Sequence, residues 1–400
     1  MTPARGAAVQ TKTITTEREL EQLCESLASE SAIAFDTEFV SEHSFRPELC
    51  LIQVAASGRL AAIDTIAVGD TSAFWKMLTS GDHETIVHAG REEVCFCLDA
   101  VGAPPKRLFD VQLAAGLIGI EYPAGYGSLM WRVLGKTLHK RETRTDWRKR
   151  PLSAQQIDYA LDDVRDLELL RNRLYERLDK LGRLAWLQTE TDAWLDELRA
   201  SRQRERWRRV SGSGNLSSRE LAILRELWRW REEQAERRNW PVKRVLRDDL
   251  LVELAKRKSA DEKQIRAVRG MERGDLQRSL PHLIAAIRRG IELPDDECPQ
   301  FVRRESNSQL NMVAQFLASA LNSICRSAEV APSIVGTSQD VRDFVAYRLG
   351  ESDTDELPGL ARGWRAEVVG NLLNDLLSGQ MSIRIRDPHS EEPLVFEPAG

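Results

Sequence analysis

The chain has 400 residues, enough for two or three domains at roughly 100–200 residues each. Its 42% hydrophobic and 30% charged content is that of a globular protein, and 57 Lys+Arg against 62 Asp+Glu leave a formal charge of −5. That balance excludes a uniformly basic nucleic-acid coat and an acidic disordered tail, while leaving room for local patches. No stretch approaches the roughly 18–20 apolar residues of a membrane span. Residues 1–12 lack the apolar core of a secretory signal and read as a flexible leader. Six scattered cysteines do not make a disulfide scaffold, and Cys95 and Cys97 have no second pair at zinc-site spacing. A reducing, cytoplasmic compartment is the expectation.

In chain order, residues 31–37, 49–56 and 60–64 read as three short apolar strands, predicting an antiparallel meander. A fourth strand at 85–88 leads into a helical pattern through Ala100. Residues 108–110 form another short element, followed by a helix over 111–117. Apolar residues at spacings of three and four (Ile157, Ala160, Leu161, Val164, Leu167, Leu170) predict one helix over 153–181. The predicted fold for residues 13–205 is therefore α/β, with a mixed sheet flanked by helices.

Composition shifts near residue 210, where 210–215 (VSGSGN) punctuates the chain. Ser217 and Glu220 then match a capping box, opening a helix that Trp240-Pro241 ends. Shorter helices over about 248–256, 261–268 and 274–289 complete an all-helical domain, 212–293. A second helical domain is predicted over 300–385, with its clearest helices at 314–324, 338–349 and 364–377. Residues 386–400 read as a loose tail.

The run 35–39 (FDTEF) places Asp36 and Glu38 at strand positions i and i+2, on one face. Two adjacent carboxylates raise each other's pKa unless a cation lies between them, and a hard divalent ion suits such oxygens. On the later helix, Tyr159 and Asp163 are four apart and share a face, so a hydroxyl could stand beside a metal-bound carboxylate. Between them, 87–94 (VHAGREEV) ends a strand at His88 and opens a helix carrying Glu92 and Glu93 in its first turn. His88 reads as a packed strand-end residue, and only one of the two acids can face a cleft shared with Asp36. Residues 136–150 hold seven Lys+Arg against two acids, a segment suited to phosphates. Within it Trp147 is a candidate for base stacking, and Arg144, Arg148 and Arg150 for backbone phosphates. Residues 201–290 hold 24 basic and 13 acidic residues, favouring a polyanionic partner.

Taken together, D-x-E on an early strand, H-A-G-x-E-E after a later one and Y-x-x-x-D on a late helix resemble the three motifs of the DEDD 3′–5′ exonucleases, tyrosine subgroup. The blocks 46–53 (RPELCLIQ), 109–115 (FDVQLAA), 144–147 (RTDW) and 150–152 (RPL) resemble those of the ribonuclease D family. Residues 221–241 and 245–250 are similar to an HRDC domain, and 363–370 to the last block of a second HRDC-like unit.

The resemblance implies an RNase H-like exonuclease domain followed by two all-α HRDC-like domains. It also implies two divalent ions, Mg2+ or Mn2+, at a site of Asp36, Glu38, Glu93, Tyr159 and Asp163. Asp36, Glu38 and Asp163 would hold one ion and Asp36 would bridge to the second. Glu93 would act through water, and Tyr159 would orient the attacking water. The family carries Asp where this chain has Glu93, one methylene longer; Asp110 is a fallback carboxylate. The implied activity is 3′–5′ exoribonuclease action on precursor tRNA and other small structured RNAs, with no membrane and no obligate protein partner. The competing readings are a proofreading-type DNA exonuclease and, resting on Glu93 alone, a catalytically weak RNA-binding scaffold. A helicase is disfavoured because no G-x-x-x-x-G-K-[ST] loop is present.

Overall fold

A computed structural model of the chain describes residues 10–138, 145–300, 308–352 and 354–400. Two units emerge, one formed by residues 1–38, 50–198 and 305–400, the other by 39–49 and 199–304.

The first unit is built on a six-stranded sheet of order β1-β4-β3-β2-β5-β6. Its strands are β1 (Gln10–Ile14), β2 (Ala32–Val40), β3 (Glu48–Ala56), β4 (Arg59–Asp64), β5 (Glu84–Val87) and β6 (Leu108–Asp110). β3 and β4 pair antiparallel, as the short connection predicts, whereas β1–β4, β2–β5 and β5–β6 are parallel. The sheet is therefore mixed. β1 was not legible in the sequence: Gln10–Lys12, expected within the leader, belong to it, and the helix Glu17–Leu27 follows. β2 lies inside the sheet between β3 and β5. Phe35 on β2 meets Phe74 and Trp75 edge to face, at 5.6 and 6.0 Å between ring centroids. That cluster is fully buried and anchors the backbone one residue before Asp36.

The predicted helix over 153–181 is two, Ala154–Arg165 and Leu167–Lys180, broken at Asp166. The Asp166 carboxylate accepts a hydrogen bond from Lys136 Nζ at 2.7 Å.

Residues 305–400 group with the sheet rather than standing as a third body. Glu190, on the helix Leu184–Gln203, accepts from Trp364 Nε1 at 2.7 Å and pairs with Arg365, whose Nη2 lies 2.7 Å from Oε2. Trp186 stacks on Trp364 at 4.8 Å between centroids. Arg183 donates to the carbonyls of Leu117, Ala328 and Glu329. The loose tail expected from residue 386 is also corrected. β7 (Met381–Ile385) and β8 (Leu394–Pro398) form an antiparallel hairpin, held by its ladder and by Arg384 pairing with Glu397.

In the second unit the capping box of Ser217 and Glu220 opens the helix Ser218–Arg238, which closes at Asn239 in the left-handed conformation (φ 48°). It packs on Asp248–Arg257 and Leu280–Glu292. At Gly290 a Cβ would stand 2.5 Å from Ile223 Cα, so glycine is what lets those two helices approach. Trp230 is buried in this core and Trp228 packs partly against it. Phe45 packs here too, and the amides of Phe45 and Arg46 donate to Asn239 Oδ1 at 3.1 and 3.3 Å.

Candidate active site

Asp36 and Glu38 lie within β2, which runs to Val40, past the strand end expected at residue 37, and alternate with Thr37 along the pleat. Tyr159 and Asp163 come from the Ala154–Arg165 helix, whose start is fixed by the Ser153–Gln156 capping box. Glu93 sits in the first turn of the helix Arg91–Val101 and is buried. Gly90 before it cannot be replaced without conflict, since a Cβ would meet Val87 Cγ2 at 2.3 Å.

The turn leading to Glu93 is held by Asp110. Its carboxylate accepts the amides of Ala89 (3.1 Å), Gly90 (3.0 Å) and Gln112 (2.8 Å), capping the helix Val111–Gly116 at the same time. Ala89 has a positive φ of 54°, a strained conformation for a residue with a Cβ, which these bonds help to hold. Asp110 is thus a brace for the Glu93 turn and is not free to serve as a substitute metal ligand. His88 is a packed strand-end residue, with Nε2 2.9 Å from the Ala124 carbonyl oxygen.

The carboxylates share one electrostatic field. Burial, then the charges of Glu93, Asp163 and Glu38, raises the Asp36 carboxyl well above its ordinary range. Burial, then Asp163 and Glu93, pushes Glu38 up to about 8. Burial and then Asp162 push Asp163 up to about 6. Burial also raises Glu93, opposed by a hydrogen bond from Thr37 Oγ1 to Glu93 Oε1 at 2.6 Å. Among the described residues, the charges that act most on Asp36 and Glu38 are other carboxylates. The Tyr159 phenol is raised by burial and then by Asp163, Glu38 and Asp36, which places its hydroxyl in the same field.

As the side chains stand, no group of three or more His, Cys, Asp or Glu among the described residues is arranged to hold a metal ion. The donor set nevertheless fits one in chemistry: hard, largely buried carboxylate oxygens that raise one another's pKa. Closing them on a cation requires side-chain rotation. Of these carboxylates, Glu93 is the one bonded to the Thr37 hydroxyl.

The RNA-contact candidates fare differently. Arg144 lies outside the described residues. Trp147, expected to stack on a base, is 7% exposed and stacks on the Tyr159 ring instead, at 6.4 Å and 26°. Arg150 is engaged with Asp64, Nε to Oδ2 at 2.6 Å and Nη2 to Oδ1 at 2.8 Å. Arg148 pairs with Asp146 at 3.0 Å. Trp147, Arg148 and Arg150 are thus engaged within the protein, Arg150 tying the segment to β3 and β4. Sequence reasoning also missed Tyr126, whose hydroxyl is buried without a partner while its ring lies 5.6 Å from that of His88. Burial raises its phenol first, and the charges of Asp166, Asp163 and Asp36 raise it further. No spacing linked it to the three motifs.

Residues 11–179 match a 3′-5′ exonuclease family model and residues 220–287 an HRDC domain model. A ribonuclease D of Granulibacter bethesdensis is 33% identical over 93% of this chain and 94% of its own length. The chain belongs to the ribonuclease D family. Another member, from Zymomonas mobilis, is 33% identical over 93% of this chain and 95% of that one. Among solved structures, Escherichia coli RNase D, described as an exoribonuclease involved in structured RNA processing, superposes with a TM-score of 0.78. It shares 27% identity and covers 93% of this chain and 99% of that one. A Bifidobacterium adolescentis protein superposes with a TM-score of 0.69 at 26% identity, over 92% and 97% of the two chains. Family membership makes the protein a hydrolase of the 3′–5′ exoribonuclease class, with an HRDC region after the exonuclease domain.

Proposed function

We propose that this protein removes nucleotides one at a time from RNA 3′ ends, releasing 5′-mononucleotides, and that precursor tRNA and other small structured RNAs with 3′ tails are its substrates in the cytoplasm. The observation that carries this reading is the shared field in which Asp36, Glu38, Glu93 and Asp163 raise one another, with the Tyr159 hydroxyl inside it.

Asp36, Glu38 and Asp163 would hold a divalent ion, Mg2+ or Mn2+, and Asp36 would also serve a second, toward which Glu93 would act through water. When bound, such ions would supply the hydroxide nucleophile and charge stabilisation for the departing 3′-oxygen. Tyr159 orients the attacking water through its hydroxyl. A phenol is neutral at neutral pH, and burial raises this one further, so it donates or accepts a hydrogen bond without adding charge. RNA is drawn by the basic segment 136–150, where Arg144 and exposed Lys149 are the proposed phosphate contacts, and by the basic helical region 201–290.

The test is hydrolysis of a 3′-tailed tRNA and a DNA oligonucleotide of matching sequence, after chelation and re-addition of Mg2+ or Mn2+. Wild type is expected to release 5′-mononucleotides from RNA only with metal, and Asp36→Ala to release none. Metal-independent cleavage, full activity in Asp36→Ala, or preference for DNA would overturn the reading.

A further inference from the structure

Residues 145–152 have no regular secondary structure beyond turns, yet Trp147 within them is almost fully buried. The Arg150 guanidinium explains why. It grips Asp64 at the end of β4 with two parallel bonds, and its Nη2 also donates to the Cys50 carbonyl on β3 at 2.8 Å. Asp64 is itself buried and fixed, accepting the Ala67 amide at 3.1 Å. The remaining arm, Nη1, reaches back to the Trp147 carbonyl at 2.6 Å. Two neighbouring strands, one guanidinium and one backbone carbonyl thus fix where the Trp147 indole lies. That indole lies over the Tyr159 ring, 26° from parallel.

Tyr159 needs such a support. Its helix fixes its Cα, but a tyrosine has two free torsions, and the hydroxyl is at the far end of both. A small rotation moves the oxygen by an ångström or more, enough to lose orientation of a reacting water. We propose that Trp147 is a positioning residue for Tyr159: held in place by the Arg150–Asp64 pair, it sets the plane of the phenol ring and so aims the hydroxyl at the carboxylates of Asp36, Glu38 and Asp163. This rests on the proposed role of Tyr159 in orienting water. It also gives Trp147 a task other than RNA contact, since an indole 7% exposed has no face left for a base.

The experiment compares Trp147→Leu, Trp147→Phe, Tyr159→Phe and the double variant Trp147→Leu/Tyr159→Phe on a 3′-tailed RNA with Mg2+, with circular dichroism and Tm for each. Trp147→Leu is expected to lower kcat about tenfold or more while KM stays within about twofold, the pattern of a lost transition-state alignment. Trp147→Phe restores most of the rate because it restores a stacking ring. The double variant is no slower than Tyr159→Phe alone, because both changes remove the same oriented hydroxyl. Wild-type kcat in a folded Trp147→Leu overturns the proposal, as does a loss expressed in KM or losses that multiply in the double variant. Should Trp147→Leu fail to fold, Arg150→Lys, which keeps the charge and removes the paired bonds to Asp64, is expected to lower kcat in the same way. An unchanged kcat there overturns the proposal. Full kcat in Tyr159→Phe overturns the reading of Tyr159 itself, an outcome separate from failure of the positioning.

Discussion

At the scale of single residues, Glu93 is the buried carboxylate of the site that is bound to β2. Thr37 leaves β2 on the opposite side of the pleat from Asp36 and Glu38, and its hydroxyl donates to Glu93 Oε1. Glu93 nevertheless remains the foremost charge acting on Asp36. Thr37→Val leaves a buried carboxylate without its donor, and a loss of about 1–3 kcal/mol in chemical denaturation is expected. Unchanged stability would mean that the bond does not restrain Glu93. The site also predicts a pH signature. Raised folded-state values mean that these carboxyls are protonated more readily in the folded chain than in the unfolded one. Without metal, their contribution to stability is therefore complete below the ordinary carboxylate range. It is lost as pH rises through about 6 for Asp163 and about 8 for Glu38. Tm in EDTA is expected to fall between pH 5.5 and 8.5, and added Mg2+ to raise Tm far more at pH 8.5. Equal stabilisation at both pH values would argue against a cation binding these groups.

At the scale of elements, what was legible in the sequence were features that repeat or cap. The Ser217–Glu220 box, the apolar spacing of the Tyr159 helix and the alternation that pairs Asp36 with Glu38 each follow from local geometry. What was not legible depended on partners far along the chain. β1 is a short run of four polar residues ending in Ile14, its only fully buried side chain among those described, and its place is set by parallel pairing with β4. The break at Asp166 comes with Lys136, thirty residues earlier. Trp147 sits in a basic run that looks solvated, and only Arg150 reaching Asp64 shows that it turns inward. A helix–helix contact gives the prediction at this scale. Gly290→Ala forces the Leu280–Glu292 helix away from Ile223, at an expected cost of about 1–3 kcal/mol, measurable as a lower denaturation midpoint for the helical unit. A neutral or stabilising result would show that the helices can separate without loss.

At the scale of the molecule, the C-terminal residues are part of the unit that carries the chemistry. Glu190 is a buried carboxylate of the exonuclease region whose partners, Trp364 and Arg365, both come from beyond residue 305. Arg365→Ala strands that charge and is expected to cost about 3 kcal/mol, read as a drop in Tm of the sheet-containing unit. Glu190→Gln/Arg365→Met, which removes both charges, should recover much of that loss, and failure to recover would assign it to packing alone. The chain also crosses between units more often than its domain order suggests. Residues 39–49 count with the helices, although they follow Glu38 directly and return the chain to β3. Neither unit is therefore a continuous piece of the gene. Shuffling this HRDC region between relatives by one splice near residue 205 would carry Asn239 into the hybrid while leaving Phe45 and Arg46 behind. The excursion after Glu38 and the helical region must be inherited as a matched pair, so substitutions in one restrict which substitutions the other can accept.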